Sequence, residues 1–94
     1  SVFSTPQIVN ANYSTTSGKF LVVDTAGITI TLPATPTAGD YVVVKDGTGA
    51  AATSSFTIAR NGSNIASSGT DLTFNKSFAE ITMTYIDGTI GWSV

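Results

Sequence analysis

The apolar positions of this chain fall in short runs, and where they alternate with polar positions they do so with a period of two. The clearest case is "ITITL", residues 28–32. Ile28, Ile30 and Leu32 fall on one side and Thr29 and Thr31 on the other, which is the pattern of a half-buried strand. "KFLVVD" (19–24) is almost continuously apolar, and "YVVVKD" (41–46) reads as a further strand. Strands are also expected at 56–60, with 63–66 as its return, at 72–75, at 80–86 and at 89–94. Val, Ile, Thr, Phe and Tyr dominate these runs, and such side chains suit a pleated surface. No stretch sustains a helical period; over 4–12 the pattern leaves a helix open without supporting one.

Turn chemistry separates the runs. Pro33 and Pro36 stop the strand before them, because proline gives no donor to a ladder. Asn61-Gly62 and Asp87-Gly88 are the dipeptides favoured in two-residue hairpin loops, where both central residues need φ > 0. A two-residue loop at Asn61-Gly62 sets Arg60 opposite Ser63 and Ile58 opposite Ile65. The same loop at Asp87-Gly88 sets Tyr85 opposite Ile90, Met83 opposite Trp92 and Ile81 opposite Val94, which is an entirely apolar face. A slip of one residue would mix that face with Thr82, Thr84 and Ser93, so the pattern specifies its register. "GTGAAATSS" (47–55) is the longest stretch without a strand pattern, and it is expected to be a structureless loop.

Eight to nine short strands, roughly 8 to 12 residues apart, point to an all-β fold. The expected form is a small antiparallel β-sandwich, or flattened barrel, rich in hairpins. The 94 residues suffice for one domain, with 1–12 as an extended arm or linker. The expected core takes Val22, Ile28, Ile30, Leu32, Val42, Val44, Phe56, Ile58, Ile65, Leu72, Phe74, Ile81, Met83, Tyr85 and Trp92. Phe3, Ile8, Val9, Phe20, Val43, Phe78 and Ile86 are then surplus.

Composition narrows the function classes. Charged residues are only 11%, against about a quarter in an ordinary domain, and the net charge is −2. Lys19, Lys45, Arg60 and Lys76 are scattered and form no basic stripe, so a nucleic-acid partner is not expected. No apolar run approaches the roughly 18 residues of a membrane span, so membrane insertion is not expected. The start, "SVFSTPQ", has neither the charged nor the apolar region of a signal peptide, and reads as an excised fragment or a mature product.

The chain contains no Cys and no His. Disulfides, thiol nucleophiles and histidine general bases are thereby excluded, and no cofactor or metal site is expected. Calcium binding is weakly signalled at best, since "DGTG" (46–49) lacks the further acids of a calcium loop. Asp40, Asp46 and Asp87 stand in turn contexts, where an aspartate bonds its own backbone. Glu80 is expected to be solvated at a strand start. No catalytic set emerges, so the chain is not read as an enzyme.

Binding remains. Exposed aromatic platforms with hydroxyls and amides suit sugars. Trp92 is claimed by the core, and Tyr13 and Phe78 stand in polar settings, where Phe78 would also serve as a contact with a neighbouring subunit. The residues expected to meet a ligand are Thr48, Gly49, Thr53 and Ser54 in one loop, Ser67, Ser68 and Asp71 in another, and Tyr13. Asn61-Gly62-Ser63, with "NYS" at 12–14 and "NKS" at 75–77, also fits the N-glycan acceptor pattern. A small domain without staples and with surplus apolar surface points to a permanent subunit interface.

One resemblance spans residues 28–92. The ordered series "TLPATPTAGD", "VVVKDGTG", "FTIARNGSNI", "DLTF" and "ITMTYIDGTIGW" resembles a domain of the tail fibres and related adhesion or whisker proteins of tailed bacteriophages. "GKFLVVDTAG" fits its lead strand loosely, and residues 1–12 do not match. The resemblance implies an all-β module of a homotrimeric fibre on the virion, outside the cell, attaching to a glycan or protein receptor of the host surface. It supplies no catalytic motif. It also implies that the glycan-acceptor patterns are idle, since such a protein is made in bacterial cytoplasm. A structural spacer or decoration domain of the virion, and a carbohydrate-binding module of a secreted bacterial protein, are the alternatives.

Overall fold

The computed structural model describes residues 5–94 and is all-β. Nine strands follow in order: β1 (Pro6–Val9), β2 (Tyr13–Ser14), β3 (Lys19–Val23), β4 (Thr29–Thr31), β5 (Tyr41–Asp46), β6 (Phe56–Ala59), β7 (Leu72–Phe74), β8 (Glu80–Tyr85) and β9 (Trp92–Ser93). They build a small β-sandwich of two mixed sheets, ordered β1-β3-β5-β8-β9 and β2-β4-β6-β7.

The pairing differs from the expected antiparallel scheme. From β1 to β6 the chain changes sheet at every step, so each pair of strands makes one turn of a flat coil. Successive strands of one sheet therefore run the same way. β1/β3, β3/β5, β2/β4 and β4/β6 are all parallel. A strand of the opposite sheet serves as the crossover that parallel pairing requires, a role usually filled by a helix. Among the named strands of the described residues, only β6/β7, β5/β8 and β8/β9 are antiparallel. The reason for the misreading is physical. Gly, Asn and Pro mark a change of direction equally well whether the chain returns beside its own strand or crosses to the other sheet.

Residues 6–9, expected in an arm or linker, are strand β1 and pair with β3. Phe3 lies outside the described residues. The 63–66 stretch is not a strand beside β6; β6 is flanked by β4 and β7.

The two inner faces share one core. Leu21, Val23, Ile30, Leu32, Val42, Val44, Ile58, Met83 and Trp92 are essentially inaccessible. On β3 the inward residues are Leu21 and Val23, while Val22 is half-buried on the other face. A continuous apolar run has no alternation to fix its facing, and here the cross-strand partners fix it: Leu21 stands beside Val44 and Val23 beside Asp46. Val9, Phe20 and Val43 are buried rather than surplus, whereas Ile8, Phe78 and Ile86 are exposed. Two aromatic pairs close the core. Phe56 stacks on Phe74 across β6/β7, with centroids 4.5 Å apart. Tyr85 meets Trp92 edge-on at 5.6 Å. Each such pair adds about 1 kcal/mol beyond its burial. The Trp92 Nε1 donor is buried without a partner among the described residues, which costs about 1–3 kcal/mol.

Candidate functional site

The topology sorts the loops onto two ends of the sandwich. β5 ends and β6 begins at one end, so the 47–55 loop lies there. The link between β7 and β8 shares that end, because Phe74 stands beside Phe56 and Glu80 beside Lys45. The 60–71 and 86–91 segments lie at the other end. Six residues of β5, about 20 Å of strand, separate the two. The two sets of expected ligand residues therefore do not converge. Thr48, Gly49, Thr53 and Ser54 are at one end and Ser67, Ser68 and Asp71 at the other. Of these, Gly49 is half-buried and the rest are exposed. Tyr13 stands apart from both sets: it is inward on edge strand β2, beside Ile30, and packs against the core.

The first end is organised by Asp46, which ends β5 and is buried. Its Oδ1 accepts the amide of Thr48, and its Oδ2 accepts the amides of Ala51 and Phe78, at 3.1–3.3 Å. Burial pushes the carboxyl pKa up. The amides of Phe78, Ala51, Thr48 and Gly49 outweigh that and hold it below its ordinary value. One carboxylate thus ties two loops that are distant in sequence. A helical turn follows, with Ser54 N–H donating to Ala50 O, and Ala52 N–H donates to Ser77 Oγ. The stretch expected to be structureless is pinned throughout.

Phe78 is the exposed product of this arrangement. Its φ is +58°, an outlier for so bulky a residue. That backbone costs on the order of 1–2 kcal/mol. It is held on both sides, because its N–H donates to Asp46 and its carbonyl accepts Lys45 Nζ at 2.9 Å. The ring lies against Gly49, where any Cβ would run into it. A mostly apolar open groove of about 150 Å³ is lined by Leu72, Thr73, Phe74, Asn75, Lys76, Ala79 and Ile81, and the Phe78 ring is not part of its wall.

The other end is pinned by backbone. Ala66 and Ser67 both have positive φ, 50° and 63°, and form a turn closed by reciprocal hydrogen bonds between Ile65 and Ser68 at 2.9 Å. Their amides donate to Trp92 O and Ile90 O, and Trp92 N–H donates to Asn64 O. Asp71 Oδ1 accepts the Arg60 amide. The Asn61-Gly62 turn has the expected form, with φ of 51° and 89° and Ser63 N–H donating to Arg60 O, but no ladder follows it. Asn61 Nδ2 donates to Leu32 O, so the amide of that glycan-acceptor triplet is in use.

The Asp87-Gly88 loop is longer than the expected two residues. Asp87 Oδ1 accepts the amides of Thr89 and Ile90, and Gly91 at φ +71° completes the turn. Trp92 consequently stands opposite Tyr85, not Met83. The slip is of two positions, so the apolar face is preserved. Asp40 Oδ2 likewise accepts the Thr37 amide. Asp40, Asp46, Asp71 and Asp87 thus all serve the backbone.

Sequence reasoning missed Asp46 as the hub, Lys45 and Ser77 as supports, and Gly49 as the seat of a ring. An aspartate at a strand end before Gly-Thr-Gly was the available signal. Comparison with known proteins finds no matching family model and no similar curated protein.

Proposed function

We propose that this chain is a non-enzymatic module of a phage tail fibre or receptor-binding protein, which assembles as a homotrimer and helps attach the virion to the host surface. The observation that carries the reading is the set of large apolar side chains outside a closed core. Ile8, Phe78, Ile86, Ile90 and Val94 are all exposed, on a chain with few charges. They lie on β1, at both ends of the sandwich and at Val94, and a permanent subunit interface is one way to cover them. The ordered strand-and-turn series from 28 to 92 supports the same reading. Attachment then rests on multivalency: three weak copies of one site gain roughly 10² to 10⁴ in avidity without a new contact. Host contact falls to the exposed loop residues, Thr48, Thr53 and Ser54 at one end or Ser67, Ser68 and Asp71 at the other.

The test has two parts. Light scattering of the protein at micromolar concentration gives three chain masses, and a monomer there overturns the trimer. Alanine at each loop set in turn lowers host-cell binding for one set. Unchanged binding for both overturns attachment through these loops. The second reading, a structural spacer of the fibre, draws on the β1–β6 coil. Its three rungs stack strand on strand, an arrangement that suits a segment of a shaft.

A further inference from the structure

We propose that Asn61 is a site of spontaneous deamidation, that its hydrogen bond to Leu32 restrains the reaction, and that the product unlocks this end of the sandwich. The inference does not depend on the assembly reading. In an asparagine-glycine pair the glycine nitrogen attacks the asparagine Cγ. A five-membered succinimide forms, the Cγ–Nδ2 bond breaks, and the proton of the glycine nitrogen leaves with ammonia. Water then opens the ring at either carbonyl, which gives aspartate or isoaspartate. Of the asparagines, Asn61 alone precedes a glycine; Asn10, Asn12, Asn64 and Asn75 precede residues whose side chains crowd the nucleophile. Asn61 and Gly62 are both exposed, and a Cβ placed on Gly62 would meet nothing within 4 Å, so water has free access. The turn's own hydrogen bond uses the N–H of Ser63, not that of Gly62.

The side chain is what the fold restrains. Along the parallel β4/β6 pair, Thr57 N–H donates to Ile28 O and Leu32 N–H to Ala59 O. Continued by two residues, that ladder would bring the backbone N–H of Asn61 to Leu32 O. The chain turns there instead, with Asn61 at φ 51°, and its side chain supplies the donor, Nδ2 to Leu32 O at 3.0 Å. Asn61 thus closes the last rung between β4 and β6. Attack by Gly62 must swing Cγ back over the chain's own backbone, so that bond has to open first. The restraint slows the reaction about fivefold, the factor one net hydrogen bond supplies. The product cannot restore the rung. A carboxylate only accepts, and it would face the Leu32 carbonyl, a second acceptor. Isoaspartate also adds a backbone carbon to the turn. Either way the chain beyond Leu32 loses its anchor.

The folded protein and the same chain in urea are aged side by side in a warm, mildly alkaline buffer, and peptide mapping by mass spectrometry follows each asparagine. Asn61 is expected to convert first in both, about fivefold more slowly when folded, to a mixture of aspartate and isoaspartate. Aged molecules separated by charge, and the variant Asn61→Asp, are then expected to be cut faster than fresh wild type at 33–36 and 61–63 in limited proteolysis, with 47–55 unchanged. The aged molecules carry that comparison if the variant fails to fold. Another asparagine converting first, or aspartate as the sole product, overturns the site and its succinimide route. Equal rates in the folded and unfolded chains, or a slowing beyond about a hundredfold, overturn restraint by this one bond. Aged protein cut no faster than fresh protein overturns the unlocking.

Discussion

The loops at 47–55 and 66–71 read alike in sequence, since both are short of charge and rich in small polar residues. The fold pins them by opposite means. At the first end one side chain does the holding: Asp46 gathers amides from its own loop and from Phe78, across a long stretch of chain. At the second the backbone itself does it, with Ala66 and Ser67 in left-handed conformations that direct their amides at the carbonyls of Trp92 and Ile90. One end therefore depends on a buried charge. The other combines strain tolerated by two L-residues with the exposed carboxylates of Asp71 and Asp87. A loop's composition says nothing about which device orders it.

The sharpest break comes from removing the carboxylate. Asp46→Ala strands buried amides and is expected to cost about 3 kcal/mol in urea unfolding. Limited proteolysis should then cut both 47–55 and 75–79, while 66–71 stays protected. A matching blow at the other end is Gly91→Ala. Its residue has a left-handed backbone, and a Cβ would run into the Asn64 carbonyl. A loss of about 2–3 kcal/mol is expected, with new cleavage near 64–67 and none at 47–55.

Acid separates the ends more gently. The Asp46 pKa is depressed on folding, so its contribution is fully present above the unfolded carboxylate value. It declines as pH drops below that value and vanishes once pH passes the depressed folded pKa. Unfolding midpoints measured against pH should fall on acidification, and that part of the slope should be missing in Asp46→Ala. The strained turn gives the smallest effect, and of opposite sign. Replacing Ala66-Ser67 by Asn-Gly suits the turn and is expected to add about 1 kcal/mol, seen as a rise of roughly 4–8 °C in Tm. No such gain is available at 47–55.

The strands were legible wherever side chains alternate or β-branched residues cluster. "ITITL" gave its faces correctly, and "YVVVKD" its bounds as β5. The inward face of β8 and β9 was also readable, because an error of two residues does not exchange faces. What could not be read was the partner of each strand. Nothing in "KFLVVD" distinguishes a neighbour before it from one after it; β1 opens on a proline and β2 has only two residues, so neither announces itself. The site was hidden for a related reason. Asp46 looks like any turn aspartate, and its distinction lies in meeting Phe78, which no local pattern encodes.

The alternation of strands between sheets also bears on how the chain reaches its fold. In the coil, Pro6 must find Phe20, Lys19 must find Val42, and Thr29 must find Thr57, each across an intervening strand that belongs to the other sheet. Only β6 with β7 and β8 with β9 can begin as neighbours in the chain. Contacts of this range place folding in roughly the millisecond-to-second regime of all-β domains. The C-terminal hairpins can form early, while the rungs of the coil have no local nucleus and must close together.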